Sequence, residues 1–371
     1  MHFSCPRETL HQGLQTVQKA VSTKTTLPIL TGILLEAGEN RLRLLATDLE
    51  LGIECFIPVQ TKQEGAIVLE GRYLTEIIRR LPDEEVEVTV DEEKKMAEIR
   101  CAKSVFRVHA MPAEDFPSLP ENEGDLLLRI ELPVFRQMVK ETSFAVALDD
   151  TRPFLTGVLL ELAENAVRMV ATDTSRLALR QIAAGETHQL VQALVPTKAL
   201  LEASRQATSA EQEEVEITIG HKNITFEMDG VKIVSRLIEG QFPSYQQVIP
   251  KQYQTKVQAE RLPFLQAAER ASLLGREGTS VVKMQISGDR MILSANVPEV
   301  GQAHEEMAIA KEGEDLEIAF NARFLTDVLR TLEAPEVLLE LTGVHSPGLV
   351  KPVSEAVSYT HLRAHETGRN L

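Results

Sequence analysis

The sequence predicts an α+β fold built from three tandem copies of one unit, and two observations carry that prediction. The first is an internal repeat. Pro28-Ile29-Leu30-Thr31-Gly32-Ile33-Leu34-Leu35-Glu36 returns as Pro153-Phe154-Leu155-Thr156-Gly157-Val158-Leu159-Leu160-Glu161. At the same offset Glu39-Asn40 returns as Glu164-Asn165, and Ala46-Thr47-Asp48 as Ala171-Thr172-Asp173. One register shift covers all three matches, the mark of duplication. The second observation is a change of period along each copy: a helical apolar stripe gives way to several short alternating stretches. Runs of strands with isolated helices imply antiparallel sheets covered on one face by helices.

In chain order, the first helix is expected over 6–24. Leu10, Leu14, Val17 and Val21 form its apolar stripe after Pro6 near the first turn. Gly38-Glu39-Asn40 supplies hairpin chemistry before the alternating Leu42 and Leu44. A second helix is expected over 71–80, then a strand in which Val86, Val88 and Val90 alternate with polar residues. Phe116-Pro117-Ser118 marks the first junction and returns as Phe242-Pro243-Ser244 at the second. Between them Pro133 opens a helix with Phe135, Met138 and Val139, followed by a strand with Val167 and Met169 and a helix over 196–206. Glu213 to Ile219 repeats the Val86 strand, and Asp229-Gly230 is a second hairpin signal. The third copy is more diverged. Pro263 opens a helix with Phe264, Leu265 and Ala268. Asn296 stands where the other copies have Asp48 and Asp173. Phe320 to Leu329 matches the helix that starts at Gly71. The expected domains are 1–122, 123–252 and 253–353, close to the usual domain size.

At 371 residues and 43% hydrophobic, each third is long enough for its own core. No apolar run is long enough to cross a bilayer, and Met1-His2-Phe3-Ser4-Cys5-Pro6 has no signal-peptide pattern. Cys5, Cys55 and Cys101 are odd in number and lack metal or redox spacing. They are expected as packing residues and reduced thiols in a cytoplasmic protein. The net charge is −16, yet each of the six helical segments holds one or two more basic than acidic residues. Basic helices on an acidic body would attract DNA only where the helices face.

Several chemistries have no signature here. There is no phosphate loop, no Gly-x-Gly-x-x-Gly and no His-Glu-x-x-His. Asp48 and Asp173 are the best catalytic candidates, as metal carboxylates. Asn296 in the third copy keeps the turn-forming shape of Asp but not its basicity, which favours a structural role. His361 and His365 stand at helical spacing, with only Glu366 as a nearby acidic ligand. No metal or cofactor is expected. Aromatic residues are 4% of the chain and Trp is absent, so stacking on single strands is a weaker reading than contact with a duplex backbone. No helix is dense in base-reading side chains, so any DNA binding should be independent of sequence.

Thr26-Leu27-Pro28-Ile29-Leu30, Ala46-Thr47-Asp48-Leu49-Glu50 and Ala171-Thr172-Asp173 with Arg176-Leu177 together carry a resemblance. Phe242-Pro243-Ser244-Tyr245, Asn296-Val297-Pro298-Glu299 and Phe320-Asn321-Ala322-Arg323 extend it. Over residues 1 to about 353 the chain resembles the bacterial sliding clamp, the beta subunit of DNA polymerase III. The resemblance implies a non-catalytic processivity factor: a head-to-tail homodimer closing a ring around duplex DNA. On that basis Lys24, Arg72, Arg152, Lys198 and Arg205 are the DNA-facing candidates. Phe106, Leu273 and Leu274 are expected at the subunit boundary. The replicative polymerase, the clamp loader and other replication and repair proteins would dock peptides in an apolar pocket between the second and third domains. The matching positions are Leu155, Thr172, Arg176, Leu177, Pro243, Val248 and Ser346.

The resemblance fails at the end of the chain. Family members finish on a strand with a Met-Pro-x-Arg-type terminus, whereas this chain runs from Val357-Ser358-Tyr359-Thr360-His361-Leu362 to Leu371. Residues 354–371 are set aside as a non-native tail, expected to be poorly ordered or paired as an imperfect last strand. Two other functions remain open on the sequence: a metal-dependent enzyme acting on nucleic acid through Asp48 and Asp173, and a protein-interaction scaffold without a DNA role.

Overall fold

A computed structural model describes residues 1–91, 93–120, 126–149, 151–184, 190–206, 214–274, 281–297, 300–353 and 358–362. Glu213, Pro298, Glu299, Val357, His365, Glu366 and Leu371, which enter the sequence reading, lie outside them.

The first third contains β1 (His2–Pro6), α1 (Arg7–Val17), β2 (Gly32–Gly38), β3 (Arg41–Thr47) and β4 (Leu51–Pro58). It continues with β5 (Gln60–Gln63), β6 (Gly65–Glu70), α2 (Gly71–Arg80), β7 (Glu85–Asp91), β8 (Met96–Cys101) and β9 (Ser104–Met111). The second third begins with β10 (Leu126–Glu131), α3 (Leu132–Thr142), β11 (Gly157–Ala163), β12 (Ala166–Thr172) and β13 (Arg176–Ala183). After these come β14 (Val191–Pro196), α4 (Thr197–Gln206), β15 (Glu214–Ile219), β16 (Asn223–Met228) and β17 (Val231–Arg236). The last third opens with β18 (Thr255–Glu260), α5 (Arg261–Ser272), β19 (Val281–Ser287), β20 (Arg290–Val297) and β21 (Gly301–Ala308). It ends with β22 (Ala310–Gly313), β23 (Leu316–Asn321), α6 (Ala322–Thr331), β24 (Glu336–Leu341), β25 (Gly348–Pro352) and β26 (Ser358–Leu362). None of the described helices is long and apolar enough to cross a membrane.

The described strands group into two compact units. One comprises residues 1–136 and 198–237, the other 137–197 and 238–371. The first unit holds a sheet in the order β10-β15-β16-β17-β4-β3-β2-β6-β9-β8-β7-β1-β5. The second holds the sheet β14-β11-β12-β13-β26-β25-β24-β18-β22 and a separate one, β21-β20-β19-β23. Every pairing is antiparallel, as alternation with short connections predicts.

The hairpins arise where the sequence places them. Glu39 and Asn40 sit at φ 45° and 58°, Glu164 and Asn165 at 52° and 59°, and Asp229 and Gly230 at 44° and 70°. Two left-handed residues in succession turn the chain with the twist of its strands. The helices bury the apolar stripes read from the sequence: Leu10, Leu14 and Val17 on α1, Phe264, Leu265 and Ala268 on α5.

Two expectations are corrected. The helix read over 6–24 ends at Val17 and tightens into a short 3-10 turn at Gln18–Ala20, leaving Lys24 in a loop. The cause is local competition for backbone bonds: Ser22 Oγ donates to Lys24 O, and Thr25 Oγ1 accepts from Leu27 N. The second correction concerns the chain end. Ser358–Leu362 falls in the stretch placed outside the fold, but it forms β26, the paired one of the two expectations. It lies between β13 and β25, with Leu362 opposite both Arg176 and Gly348. Thr360 and Leu362 are buried, and Leu362 belongs to the core that α5, α6 and the strands around them enclose. Without β26 two central strand edges would stand open, which is why this sequence is drawn into the sheet.

Candidate nucleic-acid and partner interfaces

The repeated Ala-Thr-Asp is a tight turn, built the same way twice. In the first copy Thr47 Oγ1 donates to Leu51 O at 3.0 Å, while Asp48 Oδ1 accepts from Glu50 N at 3.0 Å and Leu51 N at 2.7 Å. In the second, Thr172 Oγ1 donates to Arg176 O at 2.7 Å, and Asp173 Oδ1 accepts from Ser175 N at 2.9 Å and Arg176 N at 3.0 Å. The residue between them is left-handed, Leu49 at φ 76° and Thr174 at φ 79°, so the side-chain bonds hold a backbone that L-residues otherwise avoid.

The remaining oxygen of each Asp meets a cation. Asp48 Oδ2 accepts from Lys198 Nζ at 2.8 Å, and Asp173 Oδ2 from Arg176 Nε at 3.0 Å. Both carboxylates are therefore occupied by the turn and its charge partner. This arrangement explains why the sequence repeats them without invoking catalysis.

Arg176 is the centre of the second turn, and only 5% of it is exposed. Its Nη1 donates to Asp327 Oδ2 at 2.7 Å and its Nη2 to Phe144 O at 2.6 Å. The guanidinium also lies over the rings of Phe324, 4.6 Å from the centroid, and Phe144, 5.3 Å away. Such a planar cation between aromatic faces with every nitrogen bonded is a rigid fixture.

Around it stand the other pocket candidates. Leu155 is buried in the short turn Pro153–Leu155, and Thr172 and Leu177 are buried opposite one another in register. Leu177 shares an apolar cluster with Leu159, Val170, Leu179, Leu194 and Tyr245, against which Phe242 and Ile249 pack. Pro243 and Val248, both exposed, lie on the same connecting segment as Phe242, Tyr245 and Ile249. Ser346 is half-buried in the turn before Gly348, which pairs with Leu362, which pairs with Arg176. Thr172, Arg176, Leu177 and the Ser346 turn thus share one end of the nine-stranded sheet.

The segment bearing Pro243 and Val248 is anchored from below. Tyr245 Oη donates to Glu161 Oε1 at 2.6 Å, Arg168 Nη1 to the same oxygen at 3.1 Å, and Gln192 Nε2 to Glu161 Oε2 at 2.7 Å. Burial acts to raise the Glu161 carboxyl, but the bonds from Tyr245, Gln192 and Arg168 outweigh it and hold the group below its ordinary value. In the first copy Leu119 takes the place of Tyr245 and Gly52 that of Leu177. A Cβ at Gly52 would lie 2.1 Å from Leu119 Cδ2, so the two substitutions are sterically complementary.

The basic candidates are all exposed. Lys24 lies in its loop, Arg72 on α2, Arg152 just before the Pro153 turn, and Lys198 and Arg205 on α4. Arg205 pairs with Glu202 at 2.7 Å. Superposing the helices by sequence shows a pattern the charge count alone does not resolve. Position two is Arg72, Lys198 or Arg323, position nine is Arg79, Arg205 or Arg330, and an acid at position six (Glu76, Glu202 or Asp327) separates them. Residues seven apart project from one helical face, so Arg79, Arg323 and Arg330 join the candidates. Tyr73, beside Arg72, is 58% exposed.

Of the strands with an edge partly or wholly unpaired among the described residues, β9 and β21 carry the boundary candidates. β9 meets β6 only at Ala110 and Met111, leaving 104–109 bonded to β8 alone. Val105 and Phe106 on that stretch are exposed. β21 bonds only β20, and Leu273, at the end of α5, is 78% exposed with Leu274 half-buried beside it.

With this geometry in hand, comparison with known proteins is specific. Family models for the N-terminal, central and C-terminal domains of the DNA polymerase III beta subunit match residues 1–120, 129–244 and 246–364. A beta sliding clamp from Halalkalibacterium halodurans is 34% identical over 366 residues, covering 95% of this chain and 96% of its own length. The crystal structure of a DNA polymerase sliding clamp from Bacillus subtilis is similar at a TM-score of 0.94 and 33% identity, covering 99% of this chain and all of that one. A sliding clamp from Pseudomonas aeruginosa bound to griselimycin is similar at 0.93 and 32%, covering 99% of each chain.

Proposed function

This chain belongs to the DNA polymerase III beta subunit family, the beta sliding clamps, and from that premise we propose that it is a processivity factor. Two copies join head to tail in a ring around duplex DNA, with domains 1–122, 123–252 and 253–353 contributing six segments. The ring slides without reading sequence and tethers the polymerase, the clamp loader and other replication and repair proteins. It works in the cytoplasm and performs no chemistry itself.

The observation that carries this reading is the recurrence of the helix face. Three helices present a basic residue at positions two and nine with one acid between them. That leaves each face with a single net positive charge, enough to follow phosphates and too little to hold them. Contacts to phosphate alone confer no register on the duplex, so retention must come from topology. For the subunit boundary, the open stretch of β9 with Phe106 on one protomer would pair with the open edge of β21, beside Leu273 and Leu274, on its partner. A heterologous contact of this kind closes when its rotation is right.

Leu155, Thr172, Arg176, Leu177, Pro243, Val248 and Ser346 form the partner pocket in this reading. Griselimycin, the ligand of the related Pseudomonas aeruginosa clamp, is expected to bind there and to lose affinity when Leu177 is replaced by Ala.

The test is retention on nicked circular DNA after loading by a bacterial clamp loader, followed by cutting the circle. Retention on the circle and release on linearisation are expected. Equal retention on both forms would overturn the ring.

A further inference from the structure

We propose that Asp327, on α6, is a positioning residue for the partner pocket, acting through Arg176. The inference rests on the pocket reading above and extends it. Arg176 directly precedes Leu177, which stands opposite Thr172 across the turn, and both of those residues belong to the proposed pocket. Its own side chain turns inward: three nitrogens meet Asp173, Asp327 and Phe144 O at 3.0, 2.7 and 2.6 Å. Three of its five N–H donors are thereby taken, and with only 5% of the residue exposed the guanidinium faces the fold and not an incoming group. Its work is to fix where Leu177 stands.

Of its three partners, Asp173 is three residues away on the same turn and can hold only local shape. Asp327 lies 151 residues further along the chain. It is the group that ties the turn to α6 and to the core below it. Arg323 Nε, also on α6, approaches Asp327 Oδ2 only to 3.9 Å, so the bond to Arg176 dominates.

The first copy provides a natural control. At the position of Arg176 it has Leu51, and the helix that meets this turn, α4 through Lys198, has Glu202 at the helical position of Asp327. The turn there keeps the same four bonds without an arginine. Leu51 is buried in that copy. Glu202 is buried too, with Oε1 bonded by Arg205 and no hydrogen-bond partner at Oε2. The turn therefore folds without the bridge. An Arg–Asp pair maintained in the one copy that bears the pocket serves the pocket, because the turn does not require it. The partly exposed, charge-assisted bond has the geometry of the stronger class of hydrogen bonds.

A double-mutant cycle on the full-length dimer tests this, with griselimycin as the titrant and calorimetry as the readout. Asp327→Asn, nearly isosteric, should weaken binding roughly tenfold, the usual effect of losing one charge-assisted bond. Asp327→Glu should restore most of it. Arg176→Leu, which installs the side chain found at position 51, should weaken binding comparably. The decisive variant is the double substitution, which should bind no worse than Arg176→Leu alone. A residue with a merely structural role would give additive losses, and additivity would overturn the inference. So would unchanged binding by Asp327→Asn in a chain whose Leu177→Ala variant binds weakly. Failure of the unaltered chain to bind griselimycin, or indifference of binding to Leu177→Ala, would instead remove the pocket reading and this inference with it.

Discussion

Replacing Leu362 by Ala is expected to destabilise the second compact unit severely. Leu362 is fully buried, with a relative exposure of 0%, in the core that includes Phe320, Leu341 and Val350. Its backbone lies opposite Arg176 on one side and Gly348 on the other. The neighbourhood has little freedom to collapse, since a Cβ at Gly348 would already lie 2.7 Å from the Phe320 ring and 2.9 Å from Leu341 Cδ2. A cavity that cannot close puts the loss at about 2–5 kcal/mol, the range for Leu→Ala in packed cores. For a unit of this size that corresponds to a melting temperature lower by roughly 4–20 °C. Urea unfolding followed by circular dichroism measures it, with the slope on denaturant expected to be unchanged. Removing 354–371 altogether should be worse, because it also opens the edges of β13 and β25. If Leu362→Ala left the unfolding midpoint in place, β26 would not be part of the core and the last strand would have to be abandoned.

Lys198→Ala should lower the slope of log affinity for linear duplex against log salt by about 0.9 or less, since Lys198 already shares its charge with Asp48. An unchanged slope in salt-series titrations removes Lys198 from the DNA face. Leu273→Asp should shift the dimer towards monomer by more than tenfold in dissociation constant, because it places a charge in a contact meant to be dry. Sedimentation equilibrium reads this directly, and an unaltered dimer would move the boundary elsewhere. Burial pushes the Cys5 and Cys55 thiols up to about 12, with nearby Glu85 and Glu54 adding to the effect. The folded chain therefore keeps these protons when the unfolded chain releases them near pH 9. Stability should fall from there towards pH 12 by up to about 1.4 kcal/mol per pH unit per thiol. Cys55→Ala should remove one share of that alkaline slope, and equal slopes would show that the thiol ionises freely in the fold.

The repeat, the antiparallel strands and most helices were legible in the sequence because each depends on local chemistry. Asn40, Asn165 and Asp229 announce their hairpins, and Leu10, Leu14 and Val17 announce the buried face of α1. What was not legible depends on distant partners. Nothing in Ser358–Leu362 reveals that β13 and β25 stand either side of it, and an unfamiliar terminus concealed an ordinary strand. Arg176 could be placed near the pocket by resemblance, but Asp327 is far away in sequence and its role appears only when α6 is in place. The same is true of Tyr245. Its phenol reaches Glu161, a buried acid whose position in the first copy is taken by the exposed Glu36.

Comparison of the copies indicates how the turn of the second copy came to suit the proposed partner pocket. The turn itself is invariant: Thr47 and Asp48 bond as Thr172 and Asp173 do. The divergence that bears on the pocket lies in the residues that follow the turn and in those that meet it from the helix and the junction segment. In the first copy Leu51, Gly52 and Leu119 fill the space with apolar contact, and Lys198 reaches Asp48 from α4. In the second, Arg176 and Leu177 replace the first two, Tyr245 replaces Leu119, and Asp327 completes a charge pair. The helical sequence contributes differently in each case: position two supplies the cation to the turn in one copy, whereas position six supplies the anion in the other. Exchanging which helical position engages the turn leaves Arg323 at position two off the turn, 3.9 Å from Asp327, whereas its counterpart Lys198 on α4 is bound to Asp48. On the proposed reading, the second arrangement fixes a wall of the partner pocket and leaves a basic side chain on the helix face, so the same exchange serves both proposed surfaces.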